Sequence, residues 1–209
     1  MSLRPYYDHG GITIYHGDCR EILPGLAVDV LAFDPPYGTN EHGGYGRRQL
    51  GLQTIANDGD LAVRDDVLAL WGGRPTICFA SPRRPPPAGE WDFRLIWDKC
   101  SPGLGAPWRW QHEEIWLRGA WQNQPGIPSV LSICPEREMR RRSHPHEKPV
   151  RLMVALLKGI EGLIVDATMG SGSTLRAARD LGRRAIGIEI EERYCEIAAR
   201  RLAQEVLFG

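Results

Sequence analysis

The chain has 209 residues, 42% of them hydrophobic and 25% charged, with 26 basic and 26 acidic side chains. That length suits one globular domain over residues 1–209, the zero formal charge argues against coating nucleic acid by bulk electrostatics, and no apolar run nears the roughly 20 residues of a bilayer span. Five scattered cysteines (Cys19, Cys78, Cys100, Cys134, Cys195) include no CxxC pair, so neither a metal site nor a disulfide framework is indicated and a reducing cytoplasm is expected.

With Met1–Leu3 set aside, apolar runs at residues 11–15 and 28–33 predict two buried strands. The second runs straight into Asp34, Pro35, Pro36 and Tyr37. Two prolines stiffen that turn and remove two N–H donors. A carboxylate, backbone carbonyls and an aromatic ring remain at a strand's C-terminal end, where open α/β sheets bind ligands. Residues 38–74 lack the strand and helix pattern of an independent domain. Another buried strand follows at 76–80, and the Pro-rich run 82–87 reads as a surface connection. Segments 93–97 and 113–117 alternate in hydropathy around a Gly/Pro-containing stretch, as a long hairpin would. Six of the seven tryptophans lie between Trp91 and Trp121; Trp91, Trp97 and Trp116 are expected in the core beneath a sheet edge. Residues 137–151 hold six basic side chains against Glu138 and Glu147, a loop suited either to solvent or to phosphate.

The last third is more regular. Pro149 suits the first position of a helix, whose stripe is Val150, Met153, Val154 and Leu157, with Gly159 as a stop. A strand at 163–165 ends in Asp166. The loop Ala167-Thr168-Met169-Gly170-Ser171-Gly172 then opens a helix at Ser173 and Thr174, expected to run to Leu181. A strand at 185–190 presents Glu189, and a helix begins near Glu191, with Tyr194, Ile197, Ala198 and Leu202 inward. Glycines let a ligand approach the backbone closely. A carboxylate about 20 residues past such a turn is placed for ribose hydroxyls. This is a nucleoside-binding βαβ unit; Leu175 stands where the dinucleotide fingerprint needs a third glycine. Strands alternating with helices predict a mostly parallel α/β sheet.

Asp34 to Tyr37 fit one chemistry. The exocyclic amine of a nucleobase is a poor nucleophile, because its lone pair is delocalised into the ring. The Asp34 carboxylate and a carbonyl such as that of Pro35 can accept its two N–H bonds and free the lone pair. Alkylation then leaves positive charge on the nitrogen, which Asp34 stabilises. The base must leave the duplex to reach this turn, and Tyr37 offers a stacking face, which asks for its ring and not its hydroxyl.

In these motifs the chain resembles the S-adenosylmethionine-dependent DNA amino-methyltransferases, in the permuted beta-class order that places the Asp-Pro-Pro-Tyr turn before the glycine loop. The match spans roughly residues 12–202. His16-Gly17-Asp18-Cys19 resembles the family's adenine-binding element, with Asp18 and Cys19 at the cofactor's base. Leu95 to Lys99 and His112 to Trp116 resemble its hairpin strands. His144-Pro145-His146-Glu147-Lys148-Pro149 resembles the segment at the cofactor's methionine end, with His146 beside it and Lys148 near the carboxylate. Asp166, Thr168, Met169, Gly170, Ser171, Gly172, Ser173, Thr174 and Glu189 complete the implied S-adenosylmethionine site. Trp108 and Trp110 fall where the family holds aromatics near a flipped base.

The resemblance implies a three-layer, Rossmann-like methyltransferase fold with a seven-stranded, mostly parallel sheet, DNA as partner, no metal and no membrane. The chain carries no nuclease motif and no large target-recognition domain, which points to a short target, a single-stranded preference or recognition by a homodimer. Aspartate in the first catalytic position favours adenine over the N4 of cytosine. An RNA or protein amide methyltransferase would place Asn-Pro-Pro-Tyr after the glycine loop, and an inactive cofactor-binding subunit would not need Asp34, Tyr37, Gly170 and Glu189 intact.

Overall fold

The structure, a computed structural model, describes residues 4–38, 59–101, 109–119, 121, 126, 128–135 and 147–203. His144, His146, Trp108 and the basic residues 137–142 lie outside the described residues. In chain order the elements are β1 (Tyr7–His9), β2 (Ile12–His16), α1 (Cys19–Ile22), a 3-10 turn (Leu23–Gly25), β3 (Val30–Phe33), α2 (Ala62–Trp71), β4 (Thr76–Ala80), β5 (Phe93–Asp98), β6 (His112–Arg118), β7 (Val130–Ser132), α3 (Val150–Leu157), β8 (Ile164–Asp166), α4 (Ser173–Asp180), β9 (Ala185–Glu189) and α5 (Glu192–Ala203).

The strands form one sheet in the order β1-β2-β9-β8-β3-β4-β6-β5-β7. Five of its eight pairings are parallel; β1 with β2, β4 with β6 and β5 with β6 are antiparallel. The sheet therefore has nine described strands where seven were expected. The two extra strands sit at its edges and have three residues each, too short to show a period in the sequence. β1 joins β2 through Gly10 and Gly11, both at positive φ (59° and 80°), as a two-residue hairpin loop prefers.

Strand alternation sends side chains to two helical faces. Val30 and Ala32 of β3 pack in the cluster that holds Leu152 and Leu156 of α3, Ala177 of α4 and Ala198 of α5. Leu31 and Phe33 pack with Cys19 and Ile22 of α1 and Val63, Val67 and Trp71 of α2. Neither α1 nor α2 was expected. α2 has an apolar stripe at Val63, Val67, Leu68 and Trp71, but Arg64, Asp65 and Asp66 interrupt it in sequence. Asp60 marks its start, its carboxylate accepting from the Ala62 N–H at 2.8 Å. α3 follows Pro149, which caps the helix from outside rather than forming its first turn.

Of the tryptophans expected in the core, Trp97 is fully enclosed and donates to the Ile133 carbonyl at 2.9 Å. Trp91 and Trp116 are only partly covered; they meet edge to face at 6.2 Å. Arg118 lies over Trp91 and Arg94 over Trp116. No described helix is long and apolar enough to cross a membrane.

Trp71 closes the α2 face: it is 2% exposed, and its indole N–H reaches the Arg74 and Pro75 carbonyls. Trp71→Ala should cost about 3–5 kcal/mol of unfolding free energy, read from urea denaturation. A loss under about 1 kcal/mol would mean that α2 is not a structural cover of the sheet.

Candidate active site

β3 and β8 pair in parallel with Ala32 opposite Asp166, so the chain segments that follow them leave the sheet side by side. Thr168 ties the two together, its hydroxyl donating to the Asp34 carbonyl at 2.8 Å. Residues 167–172 are held from below as well. The Thr168 N–H bonds Asp166 at 3.1 Å, the Met169 N–H bonds the Ile188 carbonyl at 3.1 Å, and the Gly170 N–H bonds the Glu189 carboxylate at 3.0 Å. Gly187 lets this segment settle on β9: a Cβ there would lie 2.4 Å from Met169 Sδ. Gly172 turns the chain into α4 at φ 82°.

One cleft runs along these C-terminal strand ends. It is lined by Asp18 and Cys19, by Asp34, Pro35, Pro36 and Tyr37, by Lys148, Asp166, Thr168, Met169, Gly170 and Ser171, and by Ser173, Thr174 and Glu189. Of the residues expected in the site, Gly172 shapes the turn behind this wall and His146 lies outside the described residues. Phe33, Phe79, Met153, Glu147, Ile190 and Tyr194 also line the cleft and were not expected there.

The cleft's carboxylates fall into two kinds. Asp18, Glu147 and Glu191 are engaged by Arg20 (2.6 Å), Arg201 (2.6 Å) and Arg193 (2.7 Å). Asp18 also caps α1 through the Arg20 N–H, and its hydrogen bonds to Arg20 hold it below the usual carboxylate range. Asp166 and Glu189, both buried, make no ion pair among the described residues. Burial pushes Asp166 up to about 7 and raises Glu189 against the N–H bonds it accepts from Glu191 and Gly170. Ser173 Oγ is buried beside them with no hydrogen-bond partner among the described residues. Carboxylates without a cationic partner among the described residues, an orphan hydroxyl and glycine-lined backbone suit a ligand that carries hydroxyls and a positive charge, as S-adenosylmethionine does.

At the other end of the cleft, Lys148 Nζ lies 2.5 Å from Asp34 Oδ2 and 3.2 Å from Glu113 Oε2. The Tyr37 hydroxyl lies 2.9 Å from Asp34 Oδ1 and 2.9 Å from Glu113 Oε2. Lys99 Nζ closes on Glu113 Oε1 at 2.5 Å. Phe79, Tyr37 and Trp97 surround the Lys148 ammonium with ring faces at 5.0, 5.6 and 6.0 Å. Lys148 and Glu113 keep only 7% and 8% of their side-chain surface, whereas Asp34 keeps 25%. Burial, joined by the like charge of Glu113, raises the Asp34 carboxyl above its ordinary value against the opposing pull of Lys148 and Tyr37. Burial alone would raise Glu113 too, but Lys148 and Lys99 outweigh it and hold this group down to about 2.

Two of the expected site residues make contacts that the sequence did not reveal. Lys148, expected near the cofactor's carboxylate, lines the cleft and is bonded to two carboxylates. The Tyr37 hydroxyl touches both acids, so the residue is more than a ring. Glu113 and Lys99 had no assigned role. The signal for Glu113 was present in β6, where it shares the buried phase of the alternation with Ile115 and Leu117; a carboxylate in a core phase asks for a partner. The exposed Trp110 lies just ahead of β6, its ring 6.1 Å from that of His112.

The comparisons with known proteins agree with this geometry. The family described as DNA methylase matches residues 80–200. YubD of Escherichia coli (strain K12), a protein named as a methylase, is 31% identical over 206 residues, covering 90% of this chain and 88% of its own. The type II methyltransferase M.ScaI of Streptomyces caespitosus is 25% identical over 259 residues, covering 97% of this chain and 84% of its own. Among solved structures, the cytosine-N4-specific PvuII DNA methyltransferase shares the fold with a TM-score of 0.72 at 15% identity, over 99% of this chain and 92% of its own. M1.HpyAVI in complex with SAM shares it at 0.61 and 20% identity, over 92% and 100%. With a Rossmann-like fold, the turn at Asp34 and a nucleoside cleft in one frame, the chain belongs to the S-adenosylmethionine-dependent DNA methyltransferases that modify the exocyclic amine of adenine or cytosine.

Proposed function

We propose that this protein methylates the N6 amine of adenine in DNA. The observation that carries the reading is the Asp34 carboxylate at the open end of β3, partly exposed to the cleft and tied through Thr168 to the glycine-rich segment. The preference for adenine rests on aspartate at this position, which in the resembled family accompanies adenine where serine accompanies cytosine.

S-adenosylmethionine supplies, when bound, a methyl group on a positively charged sulfur. Glu189 would hold its ribose hydroxyls, Asp18 and Cys19 would border its base, and Asp166 would face its ammonium group. On the base side, Asp34 accepts one N–H of the target amine and the Pro35 carbonyl accepts the other. Held this way, the amine would turn its lone pair out of the ring toward the methyl carbon that the cofactor would supply, the sulfur keeping the electron pair of the bond it gives up. The nitrogen carries the positive charge until Asp34 takes its proton. A raised Asp34 suits this, because a carboxylate of ordinary acidity would be the weaker base. Tyr37 would stack the flipped base, and the exposed Trp110 would cover it. Residues 140–142, all arginine, would contact DNA phosphate.

Labelled methyl transfer to DNA followed by nucleoside mass spectrometry tests the reading: the product should be N6-methyladenine. N4-methylcytosine would overturn the choice of base, and no transfer to any DNA would overturn the function. Asp34→Ala should lower turnover by about 100- to 1000-fold, the scale of losing one preorganised electrostatic partner, while retaining S-adenosylmethionine binding. Turnover within a few-fold of the parent would sink the mechanism.

Two cofactor predictions follow from the unpaired carboxylates. Glu189→Ala should weaken S-adenosylmethionine binding by about 1–3 kcal/mol; calorimetry showing equal affinity would remove Glu189 from the ribose contact. Asp166 must be ionised to attract a cationic ammonium. Its acidity near pH 7 in the free protein means that affinity should be full above that pH and fall as pH drops through it. Asp166→Asn should flatten that dependence, and an unchanged profile in the variant would assign the titration elsewhere.

A further inference from the structure

The target amine needs an oxygen of Asp34, yet both are engaged. Oδ2 takes the Lys148 ammonium at 2.5 Å and Oδ1 takes the Tyr37 hydroxyl at 2.9 Å. Each of these donors has a second acceptor in reach, and in both cases it is Oε2 of Glu113, at 3.2 Å from Lys148 and 2.9 Å from Tyr37. Tyr37 has a single hydroxyl proton, so it can donate to only one of the two acids at a time. We propose that Glu113 is a positioning residue for methyl transfer, receiving Lys148 and the Tyr37 hydroxyl when the target amine takes their places on Asp34.

Three features fit Glu113 for this. It is anchored, since Lys99 at the end of β5 grips its other oxygen at 2.5 Å, and β6 is paired on both sides, with β4 and β5. It is anionic, because Lys148 and Lys99 hold it so against burial. It is also outside the cleft lining, so it can change the environment of Asp34 without touching the cofactor. Without it, Lys148 would have Asp34 as its sole acid among the described residues, and the amine would have to break a buried ion pair with no such alternative for the ammonium. The proton lost by the methylated amine goes to Asp34, as in the proposed mechanism; Glu113 receives hydrogen bonds and no covalent change.

The inference rests on the role proposed for Asp34. The groups that face Asp34 are Lys148 ahead of α3, Glu113 on β6, Tyr37 in its own turn, Asp166 on β8 and Cys78 on β4. Of these, Glu113 is a like charge that raises Asp34. Glu113→Gln keeps the shape and removes that charge. Three results are expected of it in the full-length protein. kcat should fall by about 10- to 100-fold, at or below the low end of the range for a group that itself transfers the proton. S-adenosylmethionine affinity should be unchanged. The acid limb of the kcat profile should move to lower pH, because Asp34 then ionises more readily.

A merely structural role would lower Tm and cofactor affinity and leave the acid limb where it is; that result, or an unchanged kcat, overturns the proposal. Should Glu113→Gln not fold, Lys99→Met is read instead, since Lys99 is a third exposed. It should lower kcat several-fold at equal cofactor affinity, and full activity would count against the anchored acceptor. Asp34→Ala run in parallel separates the two levels. If it stays active, the mechanism itself has failed. If it is dead while Glu113→Gln is normal, only the role of Glu113 falls.

Discussion

The parallel pairing of β3 with β8 places Ala32 beside Asp166, and the chemistry of the cleft depends on that register. Two segments 134 residues apart in sequence emerge next to each other and are tied by the Thr168–Asp34 hydrogen bond. A slip by one residue would turn Asp166 to the opposite face of the sheet, where Val165 packs with Leu31 and Phe33 in an apolar cluster. Burying an ionisable carboxyl there without a donor would be costly, so the alternation of apolar side chains that builds the core also fixes the geometry of the site. The antiparallel pairing of β4 with β6 does the same on the other side, because its register sets which residue of β6 faces Asp34.

The electrostatics divide along the same line. At the catalytic end two acids and two ammonium groups are packed among aromatic rings. Desolvating such a set is expensive, and removing one member typically costs about 3–5 kcal/mol because a charge is then stranded. Four charges are therefore kept where apolar side chains would fill the space more cheaply. The arrangement makes sense if the site must stabilise a positive charge that exists only briefly, since fixed groups need no reorganisation when it forms. A lone aspartate with a lysine would be a neutral pair. Adding Glu113 and Lys99 keeps the total charge at zero while giving the lysine a second place to go.

Much of this was legible in the sequence, for identifiable reasons. The turn at Asp34 and the segment 167–172 are continuous, so spacing along the chain reveals them, and the strands β3, β4, β8 and β9 are buried apolar runs. The helices α3, α4 and α5 were legible from their apolar periods, although α3 buries Leu152 and Leu156 more fully than the expected Val150 and Val154. What stayed hidden depends on contacts remote in sequence. β1 and β7 owe their existence to a neighbouring strand rather than to their own pattern. α2 has its stripe broken by Arg64, Asp65 and Asp66. The Arg64 side chain is nevertheless buried, its guanidinium donating to the Pro85 carbonyl, which no local rule would anticipate. Lys148 was expected at the cofactor and lines the cleft; its partners Asp34, just past β3, and Glu113, in β6, are remote in sequence. Glu113 was visible as an acid in a core phase, but the identity of its partners was not.

The cleft's unequal treatment of its carboxylates bears on turnover. Asp18, Glu147 and Glu191 are neutralised by arginines, while Asp166 and Glu189 are left to hydrogen bonds alone. Asp34 and Glu189 both raise Asp166 through like-charge repulsion. A cation entering this space relieves that repulsion, so part of the binding energy of a positively charged ligand comes from strain already present in the empty fold. In the mechanism proposed above, methyl transfer would take the positive charge off the ligand and leave Asp34 protonated, so the attraction that holds the ligand would weaken. That expectation originates in which acids are left without an arginine among the described residues.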